Sequence, residues 1–219
     1  MCGICGFTFP DVRLIKLMLK SIKHRGPDDE GYYVDEKISI GNTRLSIIDL
    51  RRIAKQPMTN EDNTIYVVLN GEIYNYIELR RILQRKGHIF KTKSDTEVIV
   101  HAYEEWGLKA INKFNGMWAF AIYDKKNNLL ILSRDRLGIK PIFYMFDEKK
   151  ENIFFASEIK ALLLAMKEKP EINTEGVFQY LMFRGTIDET TLYKGIKKLL
   201  PGHILIYDLN TTNVSIYKY

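Results

Sequence analysis

The chain opens its hydrophobic pattern with Ile15, Met18, Leu19 and Ile22, spaced by three and four residues. That spacing predicts a helix over roughly residues 11–23 with one buried face. HRGPDDEG (residues 24–31) follows. Its Gly-Pro, its acids and its closing Gly predict a rigid, turn-rich loop. YYVD, KISIGN and TRLSIIDL then alternate apolar and polar positions as short strands. IYVVLN (65–70) is an apolar, β-branched run, which predicts a buried strand. The Asn-Gly after it is a strong hairpin-turn signal. Two helices come next. Asn75 to Glu78 has the form of a capping box ahead of an Ile77, Leu79, Ile82, Leu83 stripe, with Gly87 as the stop. Ser94 to Glu97 repeats the box ahead of Val98, Ile99, Ala102, Tyr103 and Trp106, closed by Gly107. Asp95 then falls in the first helical turn, where the helix dipole favours a negative charge.

Beyond Gly116 the pattern turns to β. MWAFAIYD, a KKNN turn and LLILSRD predict one hairpin; IFYMF and IFFAS, joined by DEKKEN, predict another. A helix is expected over about 157–167, then a polar patch over 167–171, a short helix at VFQYLMF, and a closing strand pair, PGHILIYD and NVSIYKY. Many antiparallel strands with few, grouped helices argue for an α+β fold of layered sheets rather than a doubly wound parallel sheet.

Composition narrows the function classes. At 219 residues, 46% hydrophobic and 27% charged, the chain makes one large domain, or one domain and the stub of another. No apolar run approaches the ~18 residues of a membrane span, and no secretory leader pattern is present, so no membrane partner is expected. Two cysteines do not make a disulfide framework, which sets a reduced, cytoplasmic location as the expectation. The net charge of +6 is spread over scattered lysines (Lys55, Lys86, Lys125, Lys126, Lys149, Lys150) without an aromatic-basic strand, so no nucleic-acid partner is expected.

Candidate chemistry begins with MCGICGF. Cys2 and Cys5 have the spacing of half a zinc site, but no further cysteine exists. His24, His88, His101 and His203 show no paired ligand spacing, so no metal is expected. A redox CxxC belongs between a strand and a helix, not at a terminus. Two small buried thiols remain the plain structural reading. The alternative rests on position. Removing Met1 would place a thiol and an α-amine on one residue. A thiol of pKa ~8.5 is mostly protonated at neutral pH, whereas an α-amine near ~7.7–8.0 is a well-matched proton acceptor. Gly3 and Gly6 are expected to let backbone and substrate approach closely. Arg44 reads on spacing alone as an outward charge on a half-buried strand, and Asp95 as a helix-start acid.

MCGICGF, HRGPDDEG, RLSIIDL, QPM, LNGEIYN, KSDTEVI, FNGMWAFAIYD, SRDRLGIKPIFY and ASEIKALL occur in this order. Together they resemble the N-terminal glutaminase domain of glutamine-hydrolysing asparagine synthetase, a class II glutamine amidotransferase. The resemblance runs from Cys2 to about residue 165 and more loosely through IKKLLPGH to the end. It implies the N-terminal-nucleophile hydrolase fold, a four-layer αββα sandwich of two mainly antiparallel sheets flanked by helices, across residues 1–219. It implies Cys2 as the nucleophile that forms a γ-glutamyl thioester, with its own α-amine as base and then acid. The Asn70 carboxamide and the Gly71 N–H are implied as the oxyanion hole, Arg44 as partner of the substrate α-carboxylate and Asp95 as partner of its α-ammonium. Leu45, Ile47, Ile48 and Glu72 match other pocket positions. His24 to Asp28 match a loop near the nucleophile and read as scaffold; Asp28, Asp29 and Glu30 lack calcium-loop spacing.

The resemblance also limits the function. Full-length relatives carry a second, synthetase domain opening with an S-G-G-x-D-S pyrophosphate loop, and this chain contains no Gly-Gly. No cofactor is expected in this domain; ATP and Mg would belong to the synthetase domain. The expected partners are L-glutamine and a synthetase domain, in cis or as a separate subunit, with a homodimer left open. The competing functions are a glutaminase serving a sugar or phosphoribosyl acceptor, and a non-catalytic docking or regulatory domain.

Overall fold

A computed structural model describes residues 2–147, 151–168 and 170–219. In chain order the elements are β1 (Gly3–Phe7), α1 (Val12–Ser21), β2 (Asp29–Val34), β3 (Ser39–Arg44), β4 (Met58–Thr59), β5 (Ile65–Ile73), α2 (Tyr76–Arg85) and α3 (Asp95–Trp106). They continue with β6 (Gly116–Asp124), β7 (Leu129–Arg134), β8 (Phe143–Asp147), β9 (Asn152–Ala156), α4 (Ile159–Leu163), α5 (Thr174–Phe183), β10 (Ile196–Lys198), β11 (His203–Asp208) and β12 (Val214–Lys218). Two six-stranded sheets result, ordered β10-β8-β9-β1-β3-β2 and β12-β11-β7-β6-β5-β4. Every pairing in both is antiparallel.

Strand alternation sorts the core into three layers. On β6, Trp118, Phe120 and Ile122 pack with Val67 and Leu69 of β5 against α2 and α3. The intervening Ala119, Ala121 and Tyr123 face the other sheet, meeting Ile4, Ile40 and Phe155. On the far side of that sheet, Cys5 and Phe7 lie under Ile15, Met18, Leu19 and Ile22 of α1 and Ala161 and Leu162 of α4. Helices, sheet, sheet, helices is the predicted αββα sandwich. No helix among the described residues is long and apolar enough to cross a membrane.

Several local expectations hold. Ser94 caps α3 by accepting from Thr96 N–H at 3.2 Å, although the expected box is not closed, since Glu97 accepts from the Lys91 and Thr92 N–H groups instead. The hairpins β6–β7 and β8–β9 and the closing pair β11–β12 all form. Residues 148–150 of the β8–β9 connection and Lys169 of the polar patch lie outside the described residues.

Other expectations are corrected. Asn70–Gly71 is not a turn: β5 runs on to Ile73, with Asn70 opposite Ala119 and Gly71 opposite Trp118. A Cβ on Gly71 would lie 2.2 Å from the Met117 carbonyl oxygen, so this glycine permits close strand packing. Gly3 and Gly6 serve packing too. Added Cβ atoms there would meet Thr43 Oγ1 and the Phe155 ring, each at 2.7 Å. The turn-rich segment at 24–31 is split between a short 3₁₀ turn (Lys23–Arg25) and the start of β2. TRLSIIDL is strand only as far as Arg44; the rest leaves the sheet as a loop. Asn75 occupies the cap position of α2 without capping it. Its side chain instead bonds Lys113 O and Asn115 N–H, tying α2 to β6. Ile77 and Ile82 are exposed, leaving Leu79 and Leu83 as the buried contacts of α2. The helix expected over 157–167 is only the short α4.

Candidate active site

One cavity, of about 90 Å³, opens where the first turn of α3, the loop after β3, the end of β5 and the chain start converge. Cys2, Arg44, Leu45, Ile47, Ile48, Asn70, Gly71, Glu72 and Asp95 all line it. The two cysteines part company at β1. Cys5 points into the core against α1, where burial pushes its thiol far up. Cys2 faces the cavity. Its Sγ accepts from Leu45 N–H at 3.4 Å and donates to Leu45 O at 3.7 Å. Burial raises the Cys2 thiol pKa, opposed by the Leu45 N–H and by nearby Arg44. The sulfur is therefore a thiol at neutral pH and needs a base before it can attack.

The segment that was read as scaffold holds Cys2 from behind. Arg25 Nε donates to the Cys2 carbonyl oxygen at 3.0 Å, and its Nη1 donates to Glu158 Oε1 at 2.8 Å. His24 Nε2 and Lys160 Nζ also reach Glu158. Burial works against ionisation of Glu158, but hydrogen bonds from Arg25, Lys160 and His24 hold its carboxyl down to about 2. The chain start is thereby pinned to the head of α4.

Asn70 is fully buried, and neither its Nδ2 nor its Oδ1 finds a hydrogen-bond partner among the described residues. A buried carboxamide left unpaired costs about 1–3 kcal/mol, and such groups are rare enough to require a reason. The edge geometry of β5 offers one. N–H groups alternate along a strand. On the edge away from β6, the Leu69 N–H is taken by Gln56 Oε1 at 2.6 Å and the Ile73 N–H by Asp95 Oδ2 at 2.9 Å. The Gly71 N–H points out of that same edge between them, where β4 has already ended. Across the sheets, Asn42 Nδ2 donates to Leu69 O at 3.2 Å and fixes the register of this stretch.

Arg44 is buried rather than outward-facing. Its guanidinium donates to the Asp49 and Arg51 carbonyl oxygens. The loop it braces is closed by Asp49, whose carboxylate accepts from Arg51 Nε and Nη2 at 2.8 and 2.6 Å and from Lys93 N–H at 2.7 Å. Those contacts hold the Asp49 carboxyl far below its ordinary range. Asp95 presents a second charge to the cavity. It accepts from Ile73 N–H and from Ser94 Oγ at 3.3 Å. Burial, with the Glu72 carboxylate adding to it, pushes its pKa up to about 6 against those hydrogen bonds.

Gln56, Ser94, Thr96, Met117 and Lys140 also line the cavity and were not singled out from sequence. All five lie inside the family-like motifs QPM, KSDTEVI, FNGMWAFAIYD and SRDRLGIKPIFY, which was their only signal as pocket residues. A lysine between Gly-Ile and Pro reads as surface, yet Lys140 is 4% exposed. Burial, with Arg25 nearby, lowers its pKa.

The raised Asp95 pKa carries a prediction. Between the ordinary carboxylate range and about pH 6, the native chain keeps a proton that the unfolded chain has lost. Stability therefore falls as pH rises through that window. Asp95→Asn is expected to stabilise the free chain at pH 8 by on the order of 2 kcal/mol and hardly at pH 4. Thermal melts at the two pH values check this. Equal shifts at both would refute it.

Comparison with known proteins places the chain. Residues 1–219 match the family model of the glutamine amidotransferase domain, and the chain belongs to that family. It is 42% identical over 210 residues to asparagine synthetase [glutamine-hydrolyzing] 1 of Bacillus subtilis, covering 92% of this chain and 33% of that protein. It is 39% identical over 244 residues to the putative asparagine synthetase [glutamine-hydrolyzing] 2 of Methanocaldococcus jannaschii, covering all of this chain and 46% of that one. The chain thus spans a third to a half of these curated relatives. Among solved structures, glutamine phosphoribosylpyrophosphate amidotransferase of B. subtilis superposes with a TM-score of 0.71 at 20% identity, over 99% of this chain and 49% of that one. That likeness shows a shared fold.

Proposed function

We propose that this domain hydrolyses L-glutamine to glutamate and ammonia through a γ-glutamyl thioester on Cys2, once Met1 has been removed. The observation that carries the reading is the buried, unpartnered Asn70 carboxamide in the same cavity as the Cys2 thiol. The Cys2 sulfur attacks the side-chain amide carbon of glutamine, and the α-amine of Cys2 takes the thiol proton. Negative charge develops on the amide oxygen, where Asn70 Nδ2 and the Gly71 N–H donate to it. Fixed neutral donors suit this task because they need no reorganisation as the charge forms. The C–N bond then breaks and the α-ammonium returns its proton to the leaving nitrogen, releasing ammonia. Water cleaves the thioester, giving glutamate and restoring the thiol.

Arg44 and Asp95 bring opposite charges to the lining of one pocket, which suits the α-carboxylate and α-ammonium of a free amino acid. Leu45, Ile47, Ile48 and Glu72 form the walls between. None of these steps requires a cofactor. A free thiol nucleophile fits a reducing cytoplasm. The two relatives compared above are named as asparagine synthetases and are two to three times as long. We therefore infer that the ammonia goes to a synthetase-type unit, in cis or as a separate subunit.

The test compares ammonia release from L-glutamine and from glutamine blocked at both α-groups. Each lost charge-assisted contact is worth about 1.5–3 kcal/mol. The blocked substrate should therefore fall by on the order of 10²–10⁴ in kcat/KM. Equal rates on the two would remove Arg44 and Asp95 from substrate recognition.

A further inference from the structure

His88 and His101 are too far apart in sequence to form a ligand motif, but the fold brings them together. His88 lies just past α2, where its N–H donates to the Leu83 carbonyl oxygen at 3.1 Å. His101 sits on α3, one turn before Glu104. The two rings lie 5.2 Å apart. One ligand atom from each of His88, His101 and Glu104 lies within 4.8 Å of the other two. Glu104 Oε2 is 2.8 Å from His101 Nδ1 and 3.6 Å from His88 Nδ1. Tetrahedral zinc, with bonds of ~2.0–2.2 Å, sets its ligand atoms about 3.4 Å apart. The two Glu104 separations bracket that spacing, and the histidine nitrogens already lie within 4.8 Å of each other.

Each of the three groups is also oriented from behind. His88 Nε2 faces Glu105 Oε2 at 3.3 Å, and His101 Nε2 faces Glu97 Oε1 at 3.9 Å. The second oxygen of Glu104 accepts from Asn60 Nδ2 at 2.8 Å. Histidine metal ligands characteristically present one ring nitrogen to the ion and the other to a carboxylate. His88 has that arrangement here; at His101 the 3.9 Å separation is wider than a hydrogen bond. Glu104 also borders an open polar cleft of about 380 Å³ that carries Asp62 and Asp124.

We propose that His88 Nδ1, His101 Nδ1 and a carboxylate oxygen of Glu104 bind one divalent transition metal ion, with a further position open to water. Two imidazoles and a carboxylate favour zinc over magnesium or calcium, whose sites are built of oxygen. The ion would clamp the end of α2 to α3, the helix whose first turn carries Asp95. The rival occupant of the cluster is a proton. His101 is pushed up to about 9: burial works against its charge, but Glu104 and Glu97 favour it.

The experiment titrates Zn²⁺ into the chelator-treated full chain by calorimetry, in a Cys2→Ser background that removes the cavity thiol. One equivalent should bind. His88→Ala and Glu104→Gln, both at the outer side of the cluster, should each weaken binding by well over tenfold. Glu105→Gln, which only orients His88, should weaken it by ~10-fold or more. His101 is buried and its replacement risks the fold. X-ray absorption of the zinc-loaded chain therefore counts imidazole ligands without mutation, and two are expected. No stoichiometric binding, affinity unchanged in His88→Ala and Glu104→Gln, or a zinc shell without two imidazoles would each overturn the proposal. His101 would then be the protonated partner of Glu104 and Glu97.

Discussion

Cys2→Ala is expected to reduce ammonia release from glutamine by on the order of 10⁴-fold or more, the scale of losing a nucleophile that works in concert with its base. The fold should be untouched. Among the described residues the thiol's hydrogen bonds are confined to the Leu45 N–H and carbonyl, and the chain start stays pinned through its backbone carbonyl by Arg25. A loss of melting temperature matching the loss of activity would point instead to a structural thiol. Cys2→Ser should be nearly as inactive. The cavity already raises the pKa of the thiol, and a hydroxyl is a far weaker acid facing the same base. Ammonia release from the alanine variant at a tenth of the normal rate would place the nucleophile elsewhere.

Asn70 is expected to separate catalysis from stability in the opposite sense to an ordinary buried asparagine. Removing one oxyanion donor costs ~10²–10³ in kcat, so Asn70→Ala should lose that much with KM for glutamine little changed. A buried asparagine with its hydrogen bonds made would also lose stability on truncation. This one makes none among the described residues. Asn70→Leu, which replaces unpaired polar atoms with apolar ones of similar size, is therefore expected to melt at or above the parent temperature. Kinetics and thermal melts on the same preparations check both halves. A destabilised but active Asn70→Leu would assign the residue to the core.

The layers of the fold were legible because strand alternation and helical spacing report burial directly. Ile15, Met18, Leu19 and Ile22 marked the face of α1, and Val98, Ile99 and Ala102 that of α3. The errors arose where tertiary contacts overrode a local signal. Asn70–Gly71 is a strong turn signal in isolation, but nine-residue pairing with β6 carries the strand through it. Asn75 could have capped α2, yet its side chain does more by crossing to Lys113 and Asn115. On spacing alone Arg44 was an outward charge, because nothing local reveals that the carbonyls of residues 49 and 51 fold back to receive it. The nine positions named for the site converge on one cavity. Only Cys2 was also singled out by its position and chemistry; for the other eight it was the family motifs that did so. Lys140 shows the limit of both, being buried in the cavity without a role suggested by either.

The most direct measurement concerns the nitrogen of Cys2. While Met1 is attached, that nitrogen is a peptide amide and cannot accept the thiol proton. Intact-mass analysis of fractions that retain or lack Met1, each assayed for ammonia release from L-glutamine, compares the two states of one chain. Turnover confined to the trimmed fraction, and rising in proportion to it, is the expected result. Full turnover by chains whose mass still includes Met1 would contradict the use of the Cys2 α-amine as the catalytic base.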